Sequence, residues 1–281
     1  MAKSNKNEVE KPEIKSKKIE PSSGWAEQFE SLAITLIMAL FGMTFVIQAV
    51  TVPTGSMQNT ILVGDYLLVN KFIFNAGGNP LPFLPQRDIR RGDIIVFKYP
   101  GNRADPEADR IAGHPAYKLN YVKRVIGLPG ETVEFRDNQV FINGKLLPEY
   151  REYGAPTGGS PLAALETEKF EERAADDGAY TVYYSKTTFD MIQRGDSVIR
   201  SDMNFGIKGK PSVVPENNFF VLGDSRDASE DSRYWGFVPR ELIIGRALVV
   251  YWSCDRYEAG ENNYLGCLTH PRFNRIGNII R

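Results

Sequence analysis

The hydrophobic and polar positions of this chain fall into three regimes. Up to Glu30 the chain is mostly polar, with Lys3, Lys6, Lys11, Lys15, Lys17 and Lys18 mixed among acidic residues, and residues 1–30 read as a disordered tail. No formally charged residue then occurs until Asp65, and the stretch Leu32–Val52 is apolar almost throughout. At about 1.5 Å per residue that stretch is long enough for a hydrocarbon layer of about 30 Å. Thr35, Gly42, Thr44 and Gln48 are tolerable in it because a helix satisfies its own backbone. A secretory signal would have an apolar core of about 7–15 residues and a small-x-small cleavage site, and Gln48-Ala49-Val50-Thr51 is a poor one. The pattern therefore predicts a single uncleaved transmembrane helix over residues 31–52, in preference to a cleaved signal or a buried soluble helix. Lysines crowd the segment before it, while no Lys or Arg occurs from Val52 until Lys71, so the N-terminus is expected in the cytoplasm and the remainder outside.

Beyond Val52 the period shortens to that of β-strands, with apolar runs broken by Gly, Pro and Asn-Gly. Asp65–Asn70, Asp93–Tyr99, Tyr117–Ile126, Phe219–Leu222 and Ala247–Trp252 read as strands. Val133–Arg136 and Gln139–Ile142 flank Asp137-Asn138 as a hairpin, and Asn143-Gly144 supplies a second tight turn. Residues 150–212 differ in composition and read as a variable insertion with a helix around Leu162–Ala175 and a strand at Tyr180–Tyr184. The apolar segment Phe72–Pro85 fits either a core-packed hairpin or one lying on a bilayer. The expected fold class is mainly β, with residues 53–149 and 213–281 forming one extracytoplasmic domain around the insertion.

Composition narrows the chemistry. A net charge of −1 gives no electrostatic reason for nucleic acid as a partner. Two cysteines and two histidines rule out a disulfide-dense scaffold and a cysteine-only zinc site, and no metal or cofactor is expected. Cys254 and Cys267 are expected to form a disulfide outside the cytoplasm, where the compartment permits one, the alternative being two buried thiols. His114 and His270 sit beside prolines in loop-like settings. A serine nucleophile would then need a base other than histidine. Ser56, just past the apolar run, is the candidate nucleophile, and Lys123 is the candidate base. On an alternating strand Lys123 shares a face with Tyr121 and Val125, among apolar groups that would disfavour its ammonium.

Five segments occur in a telling order: Pro53-Thr-Gly-Ser-Met57, Ile61-Leu-Val-Gly-Asp65, Arg91-Gly-Asp-Ile-Ile-Val-Phe97, Tyr121-Val-Lys-Arg-Val-Ile-Gly-Leu-Pro-Gly-Glu131 and Val221-Leu-Gly-Asp-Ser-Arg-Asp-Ala-Ser-Glu-Asp-Ser-Arg233. Together with Trp235–Pro239 they resemble the boxes of bacterial type I signal peptidase, the leader peptidase family of serine–lysine enzymes. The resemblance runs from the apolar segment to Arg272-Phe-Asn-Arg275 and skips the insertion. It implies a signal-peptidase-like β-sheet catalytic domain, Ser56 as nucleophile and Lys123 as general base. It further implies Thr54 and the Ser56 amide as oxyanion donors, Ser229 hydrogen-bonded to Lys123, and Asp231 with Arg233 holding the loop. Val52, Pro53, Met57, Ile61, Tyr121 and Val122 are implied to line pockets for small substrate side chains. The expected partners are signal-peptide-bearing preproteins and the lipid bilayer, at the bacterial cytoplasmic membrane. One departure stands out: Asn59 occupies the place of a family proline. The alternative from another class is an anchored, non-catalytic β-domain that binds envelope proteins. A penicillin-binding-type enzyme would need Ser-x-x-Lys, and here the fourth residue is Asn59.

Overall fold

The structure, a computed structural model, describes residues 24–74, 86–136, 138–156, 165–166, 172–173, 180–256 and 265–281. It divides into two units, residues 1–42 and 43–281. In the first, α1 (Gly24–Phe41) buries none of its residues. The expected helix over 31–52 is not continuous. A short π-helical segment covers Gly42–Val46, and β1 (Ile47–Thr51) follows as a strand. Among the described residues no helix is long and apolar enough to cross a membrane. An apolar run rich in β-branched residues has no helical signature of its own at its end, and pairing with a neighbouring strand decided Ile47–Thr51.

The second unit is built on a seven-stranded sheet. Its strands are β1, β2 (Asp65–Asn70), β3 (Ile94–Lys98), β4 (Asn120–Gly127), β13 (Asn218–Leu222), β14 (Val238–Pro239) and β15 (Ile243–Ser253), in the order β1-β2-β15-β3-β4-β13-β14. All its neighbours pair antiparallel. Both faces are covered. On β3, Ile95 and Phe97 enter one core with Val125, Val221 and Trp235, while Ile94 and Val96 enter another with Leu67, Val69 and Val250. Alternation along a strand thus feeds two cores from one sequence run.

A second sheet joins β5 (Thr132–Arg136), β6 (Gln139–Ile142), β7 (Lys145–Leu146) and β12 (Ser212–Val213), with β5 and β6 forming the expected hairpin. In the insertion, β8 (Tyr150–Pro156) pairs in parallel with β11 (Thr181–Ser185). Where a helix was expected around 162–175, the described residues are two short strands, β9 (Leu165–Glu166) and β10 (Glu172–Arg173), both against β8. The rest of that expected helix lies outside the described residues, as does 75–85 of the apolar segment. Phe74 is buried, and the Arg87 guanidinium sits over its ring.

Helices occur where none was expected. The helix α2 (Pro106–Ala112) starts at Asp105, whose side chain accepts from the Ala108 amide, and ends at Gly113 in the left-handed region. The helix α3 (Lys186–Gln193) is capped by Ser185, and the single turns α4 (Ser232–Trp235) and α5 (Gly266–Thr269) complete the set named here. Cys254, at the end of β15, and Cys267, in α5, are joined by a disulfide.

Candidate active site

The chain leaving β1 makes a tight return to β2, held by hydrogen bonds from the Val52 amide to Asp65 and from the Gly64 amide to Val52. Within this return Gly55–Met57 form one 3₁₀ turn, which places Ser56 at its centre, nearly buried. Met57 is buried too, and its sulfur accepts from the Asp224 amide. Lys123 comes from the middle of β4, opposite Ile95 of β3. The fold therefore brings together two side chains far apart in sequence: Lys123 Nζ and Ser56 Oγ stand 2.6 Å apart.

Lys123 is only 3% exposed. Burial pushes its ammonium down from the ordinary 10.5 to about 8, against the upward pull of Asp231, Glu230 and Asp224 and with a smaller downward push from Arg233. It makes no salt bridge among the described residues, and the Tyr121 ring lies with its centroid 5.4 Å away. This amine can be neutral within reach of ordinary pH and is already against a hydroxyl.

The next residue meets the opposite treatment. The Arg124 guanidinium is taken bidentately by Asp224, Nε to Oδ1 at 2.7 Å and Nη2 to Oδ2 at 2.6 Å, and Thr60 Oγ1 donates to the same carboxylate at 2.6 Å. Behind it, Arg226 and Glu149 form a fully buried pair. Asp231 accepts from Arg233 through both oxygens and from the Gly223 amide. Burial works to raise the Asp231 carboxyl, but Arg233 outweighs it and holds it below its usual range. These pairs shape the loop Gly223–Arg233, whose Ser225 amide donates to the Ser56 carbonyl at 3.1 Å. Gly223 lies so close to Ser56 and Ser229 that a Cβ there would stand 2.4 Å from the Ser56 carbonyl oxygen and 2.2 Å from Ser229 Oγ.

A cleft of about 790 Å³ opens at the dyad, walled by β1, the segment after it, the start of β4, and Ala228 and Glu230. Of the implied pocket residues, Val52, Pro53, Met57, Tyr121 and Val122 line it. Ile61 does not: it is wholly buried and packs into the core with Leu67 and Val69. Thr54 lines the cleft, exposed, with its hydroxyl capping nothing. Ser229 is buried, but its Oγ makes no hydrogen bond among the described residues, so the expected bond to Lys123 is absent and the amine bonds Ser56 instead. His114, read from the sequence only as a residue beside a proline in a loop-like setting, lines the cleft 3.3 Å from the Tyr121 hydroxyl.

Sequence reasoning passed over Arg124, Glu149, Asp224 and Arg226. The charged pair Lys123-Arg124 in an apolar strand was a signal, since a second buried cation demands a carboxylate. The insertion had no legible purpose, yet it braces the same loop. Tyr183 of β11 exchanges backbone hydrogen bonds with Asp224 and Arg226, and Asp227 accepts from Ser185 and Thr188 at the start of α3.

Comparison with known proteins adds one decisive finding: the family described as signal peptidase, peptidase S26, matches residues 25–252. The chain belongs to this signal peptidase family. Among its relatives is signal peptidase I of Aquifex aeolicus, 34% identical over 248 residues, which covers 81% of this chain and 84% of the relative. Signal peptidase I of Pseudomonas aeruginosa is 30% identical over 271 residues, 90% of this chain and 78% of the relative. A crystal structure of a signal peptidase I from Enterococcus faecalis is similar at 28% identity and a TM-score of 0.30, covering 57% of this chain and 97% of the other. The second unit is mainly β, and the residues that match the family description, 25–252, take in most of it.

Proposed function

We propose that this S26 family member is a membrane-bound serine endopeptidase that removes N-terminal signal peptides from exported preproteins after small-x-small sites. The observation that carries the proposal is the 2.6 Å approach of a buried amine, with no carboxylate partner among the described residues, to a serine hydroxyl at an open cleft. A serine is a weak nucleophile until a base takes its proton, and serine–lysine pairs are an alternative to histidine triads. Neutral Lys123 Nζ takes the Ser56 proton as Oγ attacks the scissile carbonyl. The Ser56 amide, in the middle of its 3₁₀ turn, and the Thr54 hydroxyl are the donors for the developing oxyanion. The Lys123 ammonium then protonates the leaving amine, and the acyl group stays on Ser56. Lys123 next deprotonates a water, which releases the signal peptide and restores the serine.

The cleft's apolar wall, with Ala49, Val50 and Val52, suits the short apolar side chains of a small-x-small site. An extended substrate can add to the sheet here. Among the described residues β1 is a sheet edge, and the register of β13 on β4 begins at Arg124, which leaves Asn120–Lys123 without a described strand on that side. The proposed anchor is the segment 31–52, of which α1 presents Leu32, Ile34, Leu36, Ile37, Leu40 and Phe41 exposed, the surface a lipid-immersed helix requires. In this reading Asp231 and Arg233 hold the loop, and the N-terminus is cytoplasmic.

The test uses the full chain, purified in detergent or returned to vesicles, with a preprotein bearing an Ala-x-Ala site and mass-spectrometric identification of the new N-terminus. Cleavage after the second alanine, lost in Ser56→Ala and in Lys123→Ala, is expected. Cleavage that persists in Lys123→Ala overturns the assigned base, and binding without cleavage by the unaltered protein supports the non-catalytic alternative.

A further inference from the structure

One polar group on the cleft wall has no part in breaking the bond. Glu230 lines the cleft and is exposed, between the buried Ser229 and Asp231. The other two acids close to the dyad, Asp224 and Asp231, are each gripped by an arginine. The Glu230 carboxylate has no such clamp among the described residues. Its field is felt on the same wall: it raises the Tyr121 phenol, pushed up to about 12 mainly by burial, and acts upward on Lys123. It also reaches Arg200. The other titratable groups on the cleft are His114, Tyr121 and Lys123, so Glu230 is its one acidic side chain among the described residues. A substrate strand laid along Asn120–Lys123, on the side of β4 away from β3, would share the cleft with this carboxylate.

Resting on the endopeptidase reading above, we propose that Glu230 is a specificity-determining residue that favours substrates carrying a Lys or Arg side chain within a few residues of the scissile bond and disfavours Asp or Glu there. An exposed carboxylate and a mobile cation attract only modestly, so the expected discrimination is about 3–10-fold and falls with salt.

The experiment compares peptides with one Ala-x-Ala site in which Lys, Ala or Glu replaces each residue in turn, from three before the cut to three after, leaving the two alanines intact. The Lys-to-Glu ratio of kcat/KM is expected to reach about 3–10 at one position or more at low ionic strength. It should fall towards 1 in Glu230→Gln and invert in Glu230→Lys. Because Glu230 also acts on Lys123, its removal changes the rates of all peptides together, and the ratio cancels that effect. Equal ratios in the unaltered protein and in Glu230→Gln at every position overturn the inference while leaving the endopeptidase reading intact. If no peptide is cut, that reading fails instead, and fluorescence anisotropy of the same labelled peptides on the Ser56→Ala protein decides the charge preference alone.

Discussion

Lys123 and Arg124 are adjacent cations on one strand, both almost wholly buried, yet the regions they enter are built on opposite terms. On one face lies a layer of arginine–carboxylate pairs, Arg124–Asp224, Arg226–Glu149 and Arg233–Asp231, in which every side chain is at most 2% exposed. On the other, Lys123 meets a hydroxyl, an aromatic ring and apolar packing, with no carboxylate in contact among the described residues. Desolvation without a partner makes a charge expensive, so the lysine gives up its proton readily, while the paired arginines stay charged and rigid. The contrast teaches a division of labour: satisfied charges hold the loop against the Ser56 carbonyl, and the one left unsatisfied is the group able to move a proton.

The largest effect separating the two regions is on turnover. Ser56→Ala or Lys123→Ala is expected to lower kcat by about 10⁴-fold or more, with the double variant no worse than either alone, because the two act as one unit. Next in size is a stability effect confined to the paired layer. Removing one partner, as in Glu149→Gln or Arg226→Met, leaves an uncompensated buried charge and is expected to cost about 3–5 kcal/mol in urea unfolding. The double replacement Glu149→Leu with Arg226→Met should cost less than either single change. A double variant as unstable as the sum of the two would show that packing, not charge, dominates there.

At the lysine the sign reverses. Lys123→Met is expected to stabilise the fold by about 1–3 kcal/mol, since it removes an unpaired buried ammonium. The native group binds its proton more weakly than the unfolded one, so the unaltered protein gains stability as pH rises from about 8 towards 10.5. The advantage of Lys123→Met should therefore be full below pH 8 and shrink across that window; an advantage independent of pH would break the assignment. In activity, kcat/KM should rise about tenfold per pH unit below 8 and level off above it. The smallest effect expected is a shift of that midpoint to lower pH by a fraction of a unit in Glu230→Gln, because the carboxylate's upward pull on the amine is gone.

Much of the sheet was legible because its strands alternate cleanly or carry turn chemistry on their flanks, as in the hairpin β5–β6 with Asn138 and Asn143 both at positive φ. The helix α2 was equally legible and overlooked: Asp105-Pro106 opens it and Gly113 closes it. The end of the apolar run was not, since Ile47–Thr51 is compatible with helix or strand until β2 lies beside it. Ile61 shows the same limit at the site, for an apolar side chain near the nucleophile suits a pocket or a core equally well. His114 and Glu230 could not be placed at all without the cleft around them.

By itself, then, the amino-acid order determined which groups were available: a serine at the end of an apolar run, a lysine in a strand of alternating period, too few histidines and cysteines for other chemistry, and boxes in a recognisable order. The tertiary structure decided which of them act. Only the pairing of β3, β4 and β13, with the loop pinned by three buried ion pairs, sets the amine 2.6 Å from the hydroxyl and hands a carboxylate to each neighbouring arginine while withholding one from the lysine. Proton affinity depends on the solvent and charges within a few ångströms, and those distances exist only once segments remote in sequence have packed together.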